Sequence, residues 1–125
     1  MNYMIWNSCG IGARSFPALI HDLKDHYKLN FIAILETRCA QQMALIRAQR
    51  LGFADMEIVD CEGYSGGIWC LWDDSIGEIS LVECNHQFIH FQIINSDGTI
   101  WHLTVVYASP NPLTWQNLWD NLHRL

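Results

Sequence analysis

The spacing of apolar residues changes partway along the chain. Near the start, short apolar runs alternate with helical periodicity. Tyr3 to Trp6 is an apolar run that ends at Asn7-Ser8-Cys9-Gly10, and the glycine-containing stretch Ile11-Gly12-Ala13-Arg14-Ser15 breaks it. Phe16, Leu19, Ile20, Leu23 and Tyr27 then recur at helical spacing, which predicts a helix with one packed face, Ser15 as its N-cap and Pro17 in its first turn. Phe31 to Leu35 is continuously apolar, as a strand covered on both faces would be. A second helix is expected over about Ala40 to Arg50, closing at Leu51-Gly52 with the glycine as C-cap.

Beyond Gly52 the pattern belongs to strands. Met56 to Val59, Gly67 to Trp72, Ile76 to Glu83, Phe88 to Ile94 and Thr99 to Tyr107 are separated by turn signals at Gly63, Asp73-Asp74-Ser75, Asn85 and Ser96-Asp97-Gly98, which predicts antiparallel hairpins. Asn111-Pro112, followed by Leu113, Trp115, Leu118, Trp119, Leu122 and Leu125, predicts a capped final helix. No repeat, low-complexity run or linker divides the chain, so residues 1–125 are expected to be one domain. A β-α-β-α start, then hairpins and a returning helix, predicts an α/β layered sandwich with a mixed sheet, helices on one side and an apolar face on the other. With no element assigned to cover it, that apolar face is expected to stay unpaired and to drive self-association.

Composition sharpens this. Half of the 125 residues are hydrophobic, 16% are charged and six are Trp, a mix suited to a chain that is largely buried. The net charge of -6, with only seven Lys and Arg spread along the sequence, argues against a basic clamp that neutralises DNA phosphates. It leaves room for a metal-dependent nuclease, whose site is itself acidic. The start has no basic region followed by an apolar run, and no stretch approaches the ~20 apolar residues of a membrane span, so a soluble intracellular protein is expected. Five Cys without C-x-x-C spacing are expected to be buried free thiols, neither a disulfide framework nor a zinc ribbon.

Chemistry is expected at strand ends, where ligands gather in open α/β sheets. Glu36 follows the strand Phe31 to Leu35 and can act as a divalent-metal ligand; from position alone, a loop or helix-capping residue is the simpler reading. Asn7, at the end of the first strand, can lie beside Glu36 if the two strands are neighbours, or can be a turn residue. Tyr107 ends a third strand and shares a face with Trp101, Leu103 and Val105, which fits a core aromatic whose hydroxyl reaches a wet site. Gly66-Gly67 is either a phosphate-binding turn or an ordinary one. His86 and His90 are expected on a solvent face, and Cys61 and Cys70 as packing residues.

Taken in order, five pieces are specific together: Trp6-Asn7 with Gly10, Leu35-Glu36-Thr37-Arg38, Ser65-Gly66-Gly67-Ile68 before Leu71-Trp72, Val106-Tyr107-Ala108-Ser109-Pro110, and Leu118-Trp119 with Leu122. The set resembles the endonuclease/exonuclease/phosphatase domain, similar to AP endonucleases, that opens plant LINE-type non-LTR retrotransposon polyproteins. The resemblance implies the first half of a four-layer α/β sandwich that nicks target DNA with Mg²⁺ or Mn²⁺, in the nucleus when part of a retroelement protein. It also implies roles: Glu36 as catalytic residue and metal ligand, Asn7 as the orienting amide beside the metal, and Tyr107 as donor to the scissile phosphate. The family's Gly-Asp-x-Asn and Ser-Asp-His elements do not occur in this sequence, so an incomplete domain, truncated at its C-terminal side and inactive alone, is expected. A non-catalytic module that pairs its apolar face with a partner, or part of a superfamily phosphomonoesterase, are the other readings.

Overall fold

A computed structural model describes residues 1–63, 65–108 and 111–125, with the backbone alone for Gln41. Among these residues seven strands form two sheets. The first contains β1 (Tyr3–Asn7), β2 (Phe31–Leu35), β4 (Ile68–Trp72) and β3 (Asp55–Val59), in that spatial order. β1 runs parallel to β2, while β4 is antiparallel to both β2 and β3. The second sheet is the antiparallel meander β5 (Glu78–Asn85), β6 (Phe88–Ile94) and β7 (Ile100–Val106). Three helices complete the description: α1 (Phe16–Tyr27), α2 (Gln41–Gln49) and α3 (Trp115–Arg124).

Helices α1 and α2 cover one face of the first sheet. Phe16, Ile20, Ala44 and Ala48 are buried there with Ile32 and Ile34 of β2 and Trp69 and Leu71 of β4. Alternation sends the intervening residues, Phe31, Ala33, Ile68, Cys70 and Trp72, to the opposite face, where they are buried with Ile89, Phe91, Ile93 and Val105 of the second sheet. Phe91 meets Phe31 and Trp72 edge-on, with ring centroids 6.1 and 5.5 Å apart. Aromatic pairs favour such edge-to-face contacts. Helix α3 is tied to the second sheet by Arg124 Nη2, which donates to Glu83 Oε1 at 2.9 Å, and by the Gln87 side chain, which donates to the Thr114 carbonyl at 3.4 Å. The layers therefore run helix, sheet, sheet, helix, as part of a four-layer α/β sandwich.

Several expectations need correction. The apolar face of the first sheet is covered by the chain's own β5–β7 meander, so burying it requires neither self-association nor a docked partner. Sequence periodicity hid this because a strand pattern does not say which sheet the strand joins. The hairpin reading is right for β3–β4 and β5–β6–β7, but β4 also pairs with β2, and the chain crosses to the second sheet after Trp72. The expected strand start at Ile76 is a 3-10 turn over Asp74–Ile76, held by the Asp73 side chain accepting from Ser75 N at 3.0 Å. Helix α2 ends at Gln49 with Arg50 as its C-cap; Gly52, two residues further on, takes φ +82°, and a Cβ there would press on the His21 ring. Ser15 holds the N-cap position of α1 without a side-chain cap, and Leu19 and Tyr27 are exposed, so the packed face narrows to Phe16, Ile20 and part of Leu23.

Side-chain placement also departs in two cases. All five thiols are free, yet Cys9 and Cys84 are exposed while Cys39 and Cys70 are buried. His90 is buried, with Nδ1 2.6 Å from Thr104 Oγ1, and does not face solvent; His86, in the β5–β6 turn, lies 3.6 Å from the Glu62 carboxylate. No described helix is long and apolar enough to cross a membrane.

Candidate active site

The parallel pairing of β1 and β2 sets Asn7 level with Leu35, one residue before Glu36. The chain beyond β1 continues along this path. Ser8 N donates to the Leu35 carbonyl at 3.0 Å and Gly10 N to the Glu36 carbonyl at 2.7 Å. Ser8 Oγ reaches both carbonyls, at 3.0 and 3.3 Å. Three hydrogen-bond donors thus fasten the backbone that carries Glu36. Glu36 and Arg38 both adopt left-handed backbone, with φ +55° and +53°. Such conformations are uncommon for non-glycine residues, cost energy and collect at functional sites.

Tyr107 arrives from the other sheet. It leaves β7 with its backbone N–H bonded to the Gln87 carbonyl at 2.7 Å, its ring is buried between the sheets, and its hydroxyl donates to Glu36 Oε1 at 2.8 Å. Burial, reinforced by the neighbouring Glu36 carboxylate, pushes the Tyr107 pKa up to about 12. The hydroxyl therefore stays protonated and available as a donor near neutral pH. Arg38 opposes that shift and the Cys9 thiol adds to it, which puts both groups in the electrostatic surroundings of the Tyr107–Glu36 pair.

The Gly66-Gly67 turn forms a further wall. The Gly66 carbonyl accepts from Arg38 N at 3.0 Å and the Gly67 carbonyl from Thr37 N at 3.4 Å. Gly67 has φ +96°, and a Cβ there would fall on the Thr37 hydroxyl; a Cβ on Gly66 would come within 3.8 Å of the Tyr107 ring. Close approach to Thr37 accounts for glycine at 67, and the left-handed φ of +79° for glycine at 66. Thr37 is buried with its hydroxyl unpaired among the described residues.

Glu36 and Tyr107 are thus brought into direct contact. Asn7 occupies the neighbouring strand end, where its Oδ1 accepts from Cys9 N at 3.2 Å, which is the local bond of a turn residue. Sequence reasoning missed Ser8, for which no local signal existed, and the surroundings of Arg38, which depend on a left-handed backbone. The Ser109-Pro110 part of the fifth motif lies outside the described residues.

One carboxylate, Glu36, is the donor this site offers to a cation. Among the described residues no group of three or more His, Cys, Asp or Glu converges, so a cage built wholly from protein is not formed. Mg²⁺ does not need one, because it keeps several waters and takes one or two carboxylates together with substrate phosphate oxygens. The Glu36 donor set fits an ion held in that shared way.

The fold of the described residues is similar to that of a solved AP endonuclease. The crystal structure of the AP endonuclease LMAP from Leishmania major superimposes with a TM-score of 0.66 over 93% of this chain, at 13% sequence identity. This chain spans 42% of that protein's length. The likeness at such low identity is one of fold. No family model matches the sequence, and no curated protein matches it.

Proposed function

We propose that the chain is the N-terminal part of a magnesium-dependent DNA endonuclease of the retroelement type, and that residues 1–125 form one incomplete domain without hydrolytic activity of its own. The observation that carries this reading is the 2.8 Å bond from Tyr107 to Glu36, which joins two strand ends that the motif set nominated separately. The fold shared with an AP endonuclease supports it. In this reading Glu36 is a ligand of Mg²⁺ or Mn²⁺, with Asn7 alongside. When bound, such an ion stabilises charge on phosphoryl oxygens. Tyr107 orients the Glu36 carboxylate through its one O–H and would donate to the scissile phosphate by exchanging that bond. The partner is DNA, and the place of work of the complete protein is the nucleus.

Glu36 holds one side of such a site. Loss of the groups that activate water costs phosphoryl transfer several orders of magnitude. The purified chain is therefore expected to bind Mn²⁺, read by electron paramagnetic resonance, and to lose that binding in Glu36→Gln, while supercoiled plasmid with Mg²⁺ stays unnicked. Ion binding indifferent to Glu36→Gln would remove the metal-ligand assignment. Nicking abolished by Glu36→Ala would overturn the claim of inactivity.

A further inference from the structure

Seven Lys and Arg are scattered through a sequence of net charge -6, yet the fold gathers three of them at one cavity. Arg14, Arg47 and Arg50 line a space of about 290 Å³ between the β1–α1 loop and the C-terminal end of α2, together with Ile11, Phe16 and Pro17. Neither ion pair formed among the described residues involves these arginines. Three like charges brought together without a carboxylate repel one another and raise the local positive potential. The first turn of α1, which supplies Phe16 and Pro17, adds to that potential, because it has no acidic residue and no side-chain cap.

The floor is different in kind. Ile11 and Phe16 are buried in the helix-side core, and Phe16 stacks on Trp6 with centroids 5.8 Å apart. The cavity thus brings apolar side chains anchored in the core together with three cationic ones. Guanidinium groups match phosphate oxygens in planar, two-point fashion, and an apolar base suits a ring system lying flat. At about 290 Å³ the space falls at the lower end of small-ligand pockets, which run from ~300 to ~1,000 Å³. That size suits one nucleotide-sized molecule.

We propose that this cavity binds a small organic phosphate of nucleoside-monophosphate size, with Arg14, Arg47 and Arg50 on the phosphate and Ile11, Phe16 and Pro17 under the ring. The site belongs to the helix layer and its core, whereas Tyr107 belongs to the core between the sheets. It is therefore a second site, lined by neither Glu36 nor Tyr107. Isothermal titration of the whole chain with AMP, adenosine, inorganic phosphate and a duplex oligonucleotide tests it. AMP is expected to bind about tenfold or more tighter than adenosine or phosphate alone, to weaken with salt, and to lose about tenfold in Arg47→Ala and in Arg50→Ala, while Glu36→Gln leaves it unchanged. Thermal melts matching the parent chain establish that both arginine variants fold, and Arg14→Gln gives a third reading from the loop side. The proposal falls if AMP does not bind, if the arginine variants bind it equally well, if phosphate alone binds as tightly, or if only the oligonucleotide binds.

Discussion

The first sheet has two faces, and they are closed by different parts of the chain. Its outer face is covered by α1 and α2, which sit next in sequence to the strands they cover. Its inner face is closed by β6 and β7, which begin at Phe88 and Ile100. One core is local and the other long-range. The candidate site lies on the seam, because Glu36 comes from the local unit and Tyr107 from the distant one, 71 residues later. Ordering of the site therefore draws on both cores, and the Tyr107 half of it depends on the inter-sheet core.

The strongest way to break that comparison is to empty the inter-sheet core. Phe91 is fully buried against Phe31 and Trp72, and Phe91→Ala should cost about 3–5 kcal/mol, the usual range for deleting a buried ring. Urea unfolding measures that loss. The Tyr107 titration near 12 should fall toward the ordinary tyrosine value as the second sheet loosens. Ile20→Ala, equally buried on the helix side, should cost about 2–5 kcal/mol while the Tyr107 titration stays in place. If both variants move Tyr107 alike, the two cores are not separable.

A smaller effect is expected at the seam itself. Tyr107→Phe removes the hydroxyl and keeps the ring, so the core stays filled while Glu36 Oε1 loses its donor. Hydrogen bonds to charged groups contribute about 1.5–3 kcal/mol net, and partial exposure of Glu36 favours the lower end. A double-mutant cycle with Glu36→Ala should be non-additive by about 0.5–3 kcal/mol, the range for groups in contact. Additive losses would mean that the bond contributes nothing to stability.

The same division explains what the sequence reveals. The helix-side unit was legible: the apolar run Phe31 to Leu35 gave a doubly covered strand, and helical spacing from Phe16 gave α1. Glu36, Asn7 and Tyr107 were legible as strand ends. What escaped were features fixed by long-range placement. Period-two spacing showed β5, β6 and β7 as strands but could not show that they form a separate sheet. It sent His90 to solvent, because nothing in Phe88 to Ile94 announces that α3 approaches from beyond residue 111. The convergence of Arg14 with Arg47 and Arg50 was equally hidden, since a helix and a loop distant in sequence meet there only through the shared core.

The smallest predicted effect concerns the outer side of the second sheet. His90 lies opposite Thr104, beside His102 at 5.4 Å between ring centroids, and in a cleft shared with Glu83 and Arg124. Burial, then the neighbouring His102, lowers its pKa from the ordinary 6.5, with Glu83 acting in the opposite sense. The folded protein therefore holds His90 neutral over a window, below 6.5, in which the unfolded chain already binds the proton. Stability contributed by the neutral ring is fully present above pH 6.5 and is lost as the pH falls through the lowered folded value. Asp73 and Asp97 act lower down: hydrogen bonds from Ser75 and Asn30 outweigh burial at Asp73, bonds from Thr99 act on Asp97, and both titrate below 3.8. Melting temperature measured from pH 7.5 down to 5.5 should drop further in the parent chain than in His90→Gln, which shares every other titrating group. Equal slopes would show that α3 leaves His90 as accessible as the residues of an uncovered strand.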